Sequence, residues 1–306
     1  MRRVIIVALA LVGASCAVGP SVQPTTTSAV PASVPPSTTP ETTSTTSLQT
    51  TSTSVPDESH VTVYFLLDDV GEVSRPGPSL VPVDRTAPDD GLASALGVLL
   101  EGPMPEERQA VPAMSSTIPV GTELLGVSVA DGVATVDLSG EFESGGGSFS
   151  VEGRLAQVVF TATRYEQVDS VMFKVDGEPV STFSSEGLDL EGTRSRADFL
   201  DFLPLIFLDQ PTYGGVLGNP AHLEGMAAVF EATFQAAITD EEGLIIAEPP
   251  YLMATNGVGW GTFGTAIPYD VDAPQWGSVI VWEDSARDGF QINVREYPVW
   301  LTPADS

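Results

Sequence analysis

The chain has 306 residues, 41 of them acidic and 12 basic, for a formal charge of −29 at neutral pH, and it contains one cysteine. An acid surplus of that size repels nucleic acid and anionic lipid surfaces, so neither is expected as a partner. A lone cysteine excludes an internal disulfide and leaves no material for a zinc–thiolate centre.

Residues 1–19 read as an export signal. Arg2 and Arg3 form the charged start, and residues 4–12 are an apolar run too short to span a bilayer permanently. Cys16 follows Gly13, Ala14 and Ser15, which resembles a bacterial lipobox with Gly where Leu is usual. The resemblance implies a diacylglycerol on Cys16 and a lipid anchor in the cytoplasmic membrane, on its extracytoplasmic face. The other reading is ordinary cleavage after Ala17, which gives a secreted protein. Residues 20–59 are almost all Ser, Thr and Pro, a composition that buries too little apolar surface to offset the entropy of ordering. They read as a disordered tether, bare or O-glycosylated, with a reach of about 120 Å at ~3.1 Å per residue.

From His60 the pattern turns to apolar alternation, and 60–185 reads as a two-layer α/β domain. Val61, Val63, Phe65 and Leu67 alternate as in a strand, and residues 80–85 supply a second one. Asp89 or Asp90 can cap a helix whose Leu92, Leu96, Leu99 and Leu100 share a face, ended by Gly102 and Pro103. Asp131-Gly132 supplies the two positive-φ positions of a type I′ turn. The register that follows sets Ala130 opposite Val133, Val129 opposite Ala134, Val127 opposite Val136 and Leu125 opposite Leu138. A Gly145–Gly147 connector, expected to be flexible, precedes a helix from about Ser150 with Leu155, Val158, Val159 and Ala162 on one side. Residues 168–175 and 178–183 form a second Asp-Gly hairpin.

The segments LLEGP at 99–103, IPVGTELL at 118–125, DGVATVDLS at 131–139, QVVFTAT at 157–163 and VMFKVDG at 171–177 come in order at domain-wide spacing. Together they resemble the sporulation and spore-germination (GerMN) domain. That family is similar in fold to ring-building modules of spore-assembly complexes, and the resemblance implies an envelope protein that acts by contacts. Residues 186–208 read as a connector in which Ser195 caps a short helix carrying Phe199, Phe202 and Leu203. Residues 209–303 read as an all-β sandwich with strands at 229–234, 244–248, 260–263, 278–283 and 297–301. The segments EGMAAVFEATF at 224–234, WGTF at 260–263 and Asp288-Gly289 resemble the immunoglobulin-like domain of bacterial spore germination. The fold class expected for the whole chain is therefore α+β.

Chemistry-bearing constellations are scarce. His60 and His222 are the two histidines, and neither lies near a nucleophile elbow. Asp240-Glu241-Glu242 and Asp68-Asp69 lack the alternating oxygen-ligand spacing of a calcium loop, and Asp240–Gly243 reads as a hairpin turn. No catalytic residue, metal or cofactor is expected. All four tryptophans, Trp260, Trp276, Trp282 and Trp300, fall in the last domain. Three read as core, and Trp276, after Pro274-Gln275 in an expected loop, reads as the exposed partner contact. Two functions compete: a non-enzymatic envelope docking or scaffold module for a protein partner or peptidoglycan, and a cell-wall hydrolase using carboxylates in the interdomain cleft. Association of copies into a homo-oligomer through edge strands is a narrower third option.

Overall fold

The computed structural model describes residues 59–183 and 187–304, so Cys16, the export segment and the tether up to residue 58 lie outside the described residues. The described residues belong to one compact unit. Strand β1 (Ser59–Leu67) pairs antiparallel along its whole length with β2 (Ser79–Ala87). Then α1 (Leu92–Glu101), the short α2 (Pro105–Gln109) and β3 (Met114–Ser115) follow, with β3 on the other side of β1. A second sheet contains β4 (Leu124–Ala130), β5 (Val133–Leu138), β6 (Ser170–Val175) and β7 (Glu178–Pro179) in that spatial order. Helix α3 (Ser148–Ala162) crosses between the parallel strands β5 and β6.

The hairpin forms where the sequence places it, since Asp131 and Gly132 both have positive φ and Val127 to Ala130 meet their expected partners. Its far end differs. A bulge sets Leu124 opposite Leu138, and Leu125, expected there, is extruded and half exposed. In α1, Leu92, Leu96 and Leu99 are buried as spaced. The N-cap is Gly91 and not an aspartate, and Asp89 Oδ1 instead accepts from the Gly91 N–H at 2.8 Å, in the turn just before the helix. Gly102, at φ 78°, ends the helix by donating to the Leu99 carbonyl.

Helix α3 is not the one-sided helix the spacing predicts. It is buried all round from Gly153 to Ala162, and three polar side chains, Arg154, Gln157 and Thr161, are buried with it. Gln157 donates to the Tyr64 carbonyl (3.0 Å) and accepts from the Thr117 N–H (2.9 Å), which ties α3 to β1 and to the segment after β3. Arg154 donates to the carbonyls of Phe142 (2.5 Å), Ser144 (3.0 Å) and Gly145 (2.9 Å). The Gly145–Gly147 stretch is therefore held by a guanidinium and is not a loose connector. In the second predicted hairpin only β7 pairs with β6. Residues 182 and 183 instead form β8 (Thr182–Phe183), paired with β9 (Leu188–Asp189).

A 3-10 turn over Arg196–Phe202 follows, capped by Ser195, whose N–H and hydroxyl donate to Asp198 Oδ2 at 2.7 and 2.9 Å. The sandwich then uses β10 (Ile206–Gln210), β11 (Val216–Leu217), β12 (Ala221–Ala227), β13 (Thr233–Thr239), β14 (Ile245–Ala247), β15 (Leu252–Met253), β16 (Gly261–Ile267), β17 (Gln275–Asp284) and β18 (Gln291–Leu301). One sheet has the order β10-β12-β16, and the other β11-β18-β17-β13-β14, with β15 pairing the start of β13. The chain as a whole is α+β. Strand pairing in the sandwich begins at Ile206, inside the segment read as connector.

Residues 229–234, expected as a strand, instead turn sharply. Phe230–Ala232 is a 3-10 turn in which Glu231 (φ 55°) and Ala232 (φ 57°) are both left-handed, and the strand starts at Thr233. The left-handed conformation costs a residue with a Cβ roughly 1–2 kcal/mol; a glycine adopts it without that cost and gives part of the gain back in the larger entropy of its unfolded chain. Ala232→Gly is thus expected to stabilise the protein by roughly 0.5–1 kcal/mol, read as a rise in thermal midpoint of a few degrees. A fall in the midpoint would contradict the strain.

Candidate functional site

The two domains meet on a polar node built from four elements. Tyr64 comes from β1, Asp209 from β10, Arg196 from the 3-10 turn, and Thr163 from the end of α3. The Tyr64 hydroxyl donates to Asp209 Oδ1, and Arg196 Nη1 donates to Asp209 Oδ2 at 2.8 Å. The same guanidinium donates to the Tyr64 oxygen (3.1 Å), the Phe160 carbonyl (3.2 Å) and Thr163 Oγ1 (2.8 Å), and lies 4.7 Å from the centre of the Phe160 ring. Burial, and then the negative charge of Asp209, hold the Tyr64 hydroxyl well above the ordinary phenol range, so it remains a neutral donor. Arg164 Nη1 approaches Asp209 Oδ2 from the other side at 3.5 Å.

Backbone contacts reinforce the junction. The Tyr213 N–H donates to the Pro82 carbonyl (2.8 Å) and the Asn293 N–H to the Glu72 carbonyl (2.9 Å). Asn293 Oδ1 accepts from the Ser74 N–H (2.7 Å), and Arg295 donates to Ser79 Oγ (2.5 Å). Asn293 takes a left-handed φ of 53°, which asparagine tolerates better than most residues.

Beside the node opens a recess of about 300 Å³, lined by Arg164, Gln210, Pro211, Thr212, Val216, Leu217, Gly218 and His222. None of these carries a carboxylate. The cleft reading of a hydrolase needs two carboxylates there, whereas Asp209, the acid nearest the recess in the network just described, is occupied by two arginines and a tyrosine.

The exposed apolar groups are not spread evenly. Thr233 pairs with Met253, and the Ala254 N–H donates to the Ala232 carbonyl (2.9 Å). The Phe230 N–H donates to Glu283 Oε1 (3.4 Å), and Phe290 lies in the turn between β17 and β18. Phe230, Tyr251, Met253, Val258 and Phe290, each between 62 and 89% exposed, thus collect at one end of the sandwich. Glu231, Glu283, Asp284 and Asp288 border that end. The two left-handed residues directly after Phe230 set its backbone and present its ring outward. Sequence periodicity could not find this group, because its members come from four separate loops and strand ends.

Trp276 is half exposed, as expected, but it lies in β17 and not in a loop. It pairs with Trp300 of β18, and the two rings meet edge to face at 5.3 Å. Trp282 is buried, and Trp260 and Trp300 are half-buried. His60 is bonded to Asp84 Oδ2 (2.8 Å), and His222 is exposed at the recess. Asp240 Oδ1 accepts from the N–H groups of Glu242 (3.0 Å) and Leu244 (2.9 Å), which makes it the closing residue of the β13–β14 turn. Asp137 and Asp176 accept from Gly177 (3.0 Å) and Gly140 (3.1 Å), so both serve the turns at one end of the second sheet. Among the described residues no three His, Cys, Asp or Glu side chains are grouped to hold a metal ion. No described helix is long and apolar enough to cross a membrane.

Residues 62–181 match the family described as sporulation and spore germination, and residues 205–290 match the immunoglobulin-like domain of bacterial spore germination. Among solved structures, the tandem GerMN domains of the sporulation protein GerM from Bacillus subtilis are 22% identical, with a TM-score of 0.34 over 45% of this chain and 46% of that one. The chain thus spans less than half of that structure. The first GerMN domain of the same protein is 20% identical, with a TM-score of 0.35 over 46% of this chain and 99% of that one. A candidate lipoprotein from Clostridium perfringens is 17% identical, with a TM-score of 0.32 over 46% and 89% of the two chains. A search of the curated proteins gives no match.

Proposed function

Because the chain joins a sporulation and spore-germination domain to the immunoglobulin-like domain of bacterial spore germination, we propose that it is a non-enzymatic envelope protein that docks a protein partner. It is anchored through a lipid on Cys16 and held off the membrane by the Ser/Thr/Pro tether. The observation that carries the docking reading is the apolar end of the sandwich, where two phenylalanines, a tyrosine, a methionine and a valine stand exposed together. Scattered apolar residues are ordinary on a protein surface, but a gathered aromatic group with a polar rim marks a contact surface. The rim is acidic, and its one arginine, Arg287, is engaged by Asp288 at 2.8 Å. An anionic bilayer would be repelled from such a rim, so the fitting partner is a protein surface with an apolar centre and basic edges.

Peptidoglycan is a second reading, favoured by the half-exposed Trp276, backed by the half-buried Trp300, since an exposed indole suits stacking on a sugar ring. The test is native purification of the full chain from membranes, with and without Cys16→Ser. Release of the Cys16→Ser protein into the soluble fraction, with the same protein partner retained by both forms, supports anchor and docking together. Recovery of wall fragments in place of a protein shifts the assignment to peptidoglycan. A Cys16→Ser protein that stays with the membrane, with nothing bound to either form, overturns the proposal.

A further inference from the structure

The domain junction holds more positive charge than it neutralises. Arg164 and Arg196 share the single carboxylate of Asp209, at 3.5 and 2.8 Å, and Tyr64 adds no charge because its hydroxyl is a neutral donor to the same group. Two guanidinium charges against one carboxylate leave one positive charge in a partly desolvated place. Among the described residues neither arginine has another ion-pair partner. The two side chains are similarly exposed, but Arg196 spends its donors on Asp209, Tyr64, Phe160 and Thr163, while Arg164 is the one that lines the recess. On a chain of net charge −29, a recess with an arginine, a histidine and no carboxylate is an exception to the prevailing field. A field of that sign excludes most anions from the surface at large and makes a local positive site selective.

The rest of the lining indicates what kind of anion fits. Pro211, Val216 and Leu217 offer apolar wall, and Thr212 a hydroxyl. A volume near 300 Å³ sits at the low end of small-ligand sites, which run to roughly 1,000 Å³. A phosphate has no use for apolar wall, and its second charge would meet only one uncompensated cation. A planar carboxylate matches the guanidinium fork and carries an adjoining side chain that can use the wall. We propose that this recess binds the free C-terminal carboxylate of a short peptide, with Arg164 taking the carboxylate and Pro211, Val216 and Leu217 taking the terminal side chain. Val216 pairs with Trp300, against which Trp276 packs, so a longer peptide leaving the recess over the sheet edge meets the two indoles. Free peptide carboxylates come from protein C-termini and from the D-alanyl ends of cell-wall peptides, and chirality separates the two sources.

The recess is separate from the docking end. Gln210 and His222 lie toward the end of the β10–β12 pair where β12 starts, whereas Ile206 and Ala227 lie at the other end, next to Phe230. The test is titration of the full-length chain with N-acetyl-L-Ala-L-Ala and N-acetyl-D-Ala-D-Ala, each as free acid and as C-terminal amide, followed by calorimetry and indole fluorescence. The expected result is binding of one acid, with its amide weaker by about tenfold or more, because a site built for a charged group rejects an analogue that lacks it. Arg164→Gln should bring the acid down to the level of the amide, and Arg164→Lys should fall between. Phe230→Ser should bind like the wild type, which keeps this outcome independent of the docking proposal. Equal binding of acid and amide to the wild type, no binding of either acid at roughly 10 mM, or an Arg164→Gln protein that binds the acid unchanged would each overturn the assignment.

Discussion

Asp209→Ala is expected to lower the free energy of unfolding by about 2–3 kcal/mol, somewhat below the cost of removing one partner from a fully buried ion pair because this one is only partly buried. The loss would be read as a fall in the urea midpoint at unchanged slope. The carboxylate accepts from Tyr64 and Arg196 and faces Arg164, so its removal leaves a tyrosine hydroxyl without its acceptor and a guanidinium without its counter-charge. All of these bonds connect the first domain or the connecting turn to the first strand of the sandwich. The variant should therefore loosen the junction as well as the fold, and protease cleavage in residues 190–205 should become faster. Asp209→Leu combined with Arg196→Met, which removes charge from both sides, should recover much of the loss. A fall below about 1 kcal/mol for Asp209→Ala would mean that the node is solvated and of little weight, as exposed ion pairs are.

Gly225→Ala should cost about 3 kcal/mol, the upper part of the usual range for overpacking. A Cβ at this position in β12 would stand 1.9 Å from the Phe207 carbonyl oxygen and 3.0 Å from Phe263 Cζ. The first of these is backbone of the paired strand β10, and it cannot rotate away. Gly264, one strand over in β16, is the internal control, because a Cβ there meets nothing nearer than Glu224 Cγ at 4.0 Å. Gly264→Ala should leave the thermal midpoint unchanged or slightly raised. Equal effects at the two glycines would mean that β10 and β12 do not approach as described.

What the sequence could and could not disclose follows from the range of each interaction. Asp131-Gly132 determines a turn through its own backbone preference, and the four residue pairs nearest it follow in register. Leu125 escapes because a bulge is a choice between two nearly equal pairings, decided by whether Leu124 or Leu125 meets the core. Helix α3 has an apolar side that spacing reveals, but its burial on the other side depends on Arg154 and Gln157 finding backbone partners 9–12 and 40–93 residues away. The family segments lie where local rules are strong, in turns, helix ends and strand cores, and both families that they resemble are matched, the second from residue 205, inside the stretch read as connector.

The candidate sites were less legible. Pro274-Gln275 before Trp276 points to an exposed position but to the wrong element, and the contact with Trp300 depends on the pairing of β17 with β18, which no local pattern discloses. Tyr64, Arg196 and Asp209 are separated by 132 and 13 positions and share no motif, so only the docking of the two domains brings them together. The cluster at Phe230 was hidden for a different reason. A Val-Phe-Glu-Ala-Thr-Phe run alternates like a strand, and the two left-handed residues that turn Phe230 outward contradict the preference of Glu and Ala.

The docking surface is tested by purifying the full-length chain and its Phe230→Ser/Phe290→Ser variant in parallel from membranes after mild cross-linking. Both substitutions fall on exposed side chains, so the unfolding midpoint should hold within about 0.5 kcal/mol. A docking end at Phe230 and Phe290 gives a protein cross-linked to the wild type and absent from the variant. The same cross-linked species on both chains, or none on either, would contradict it.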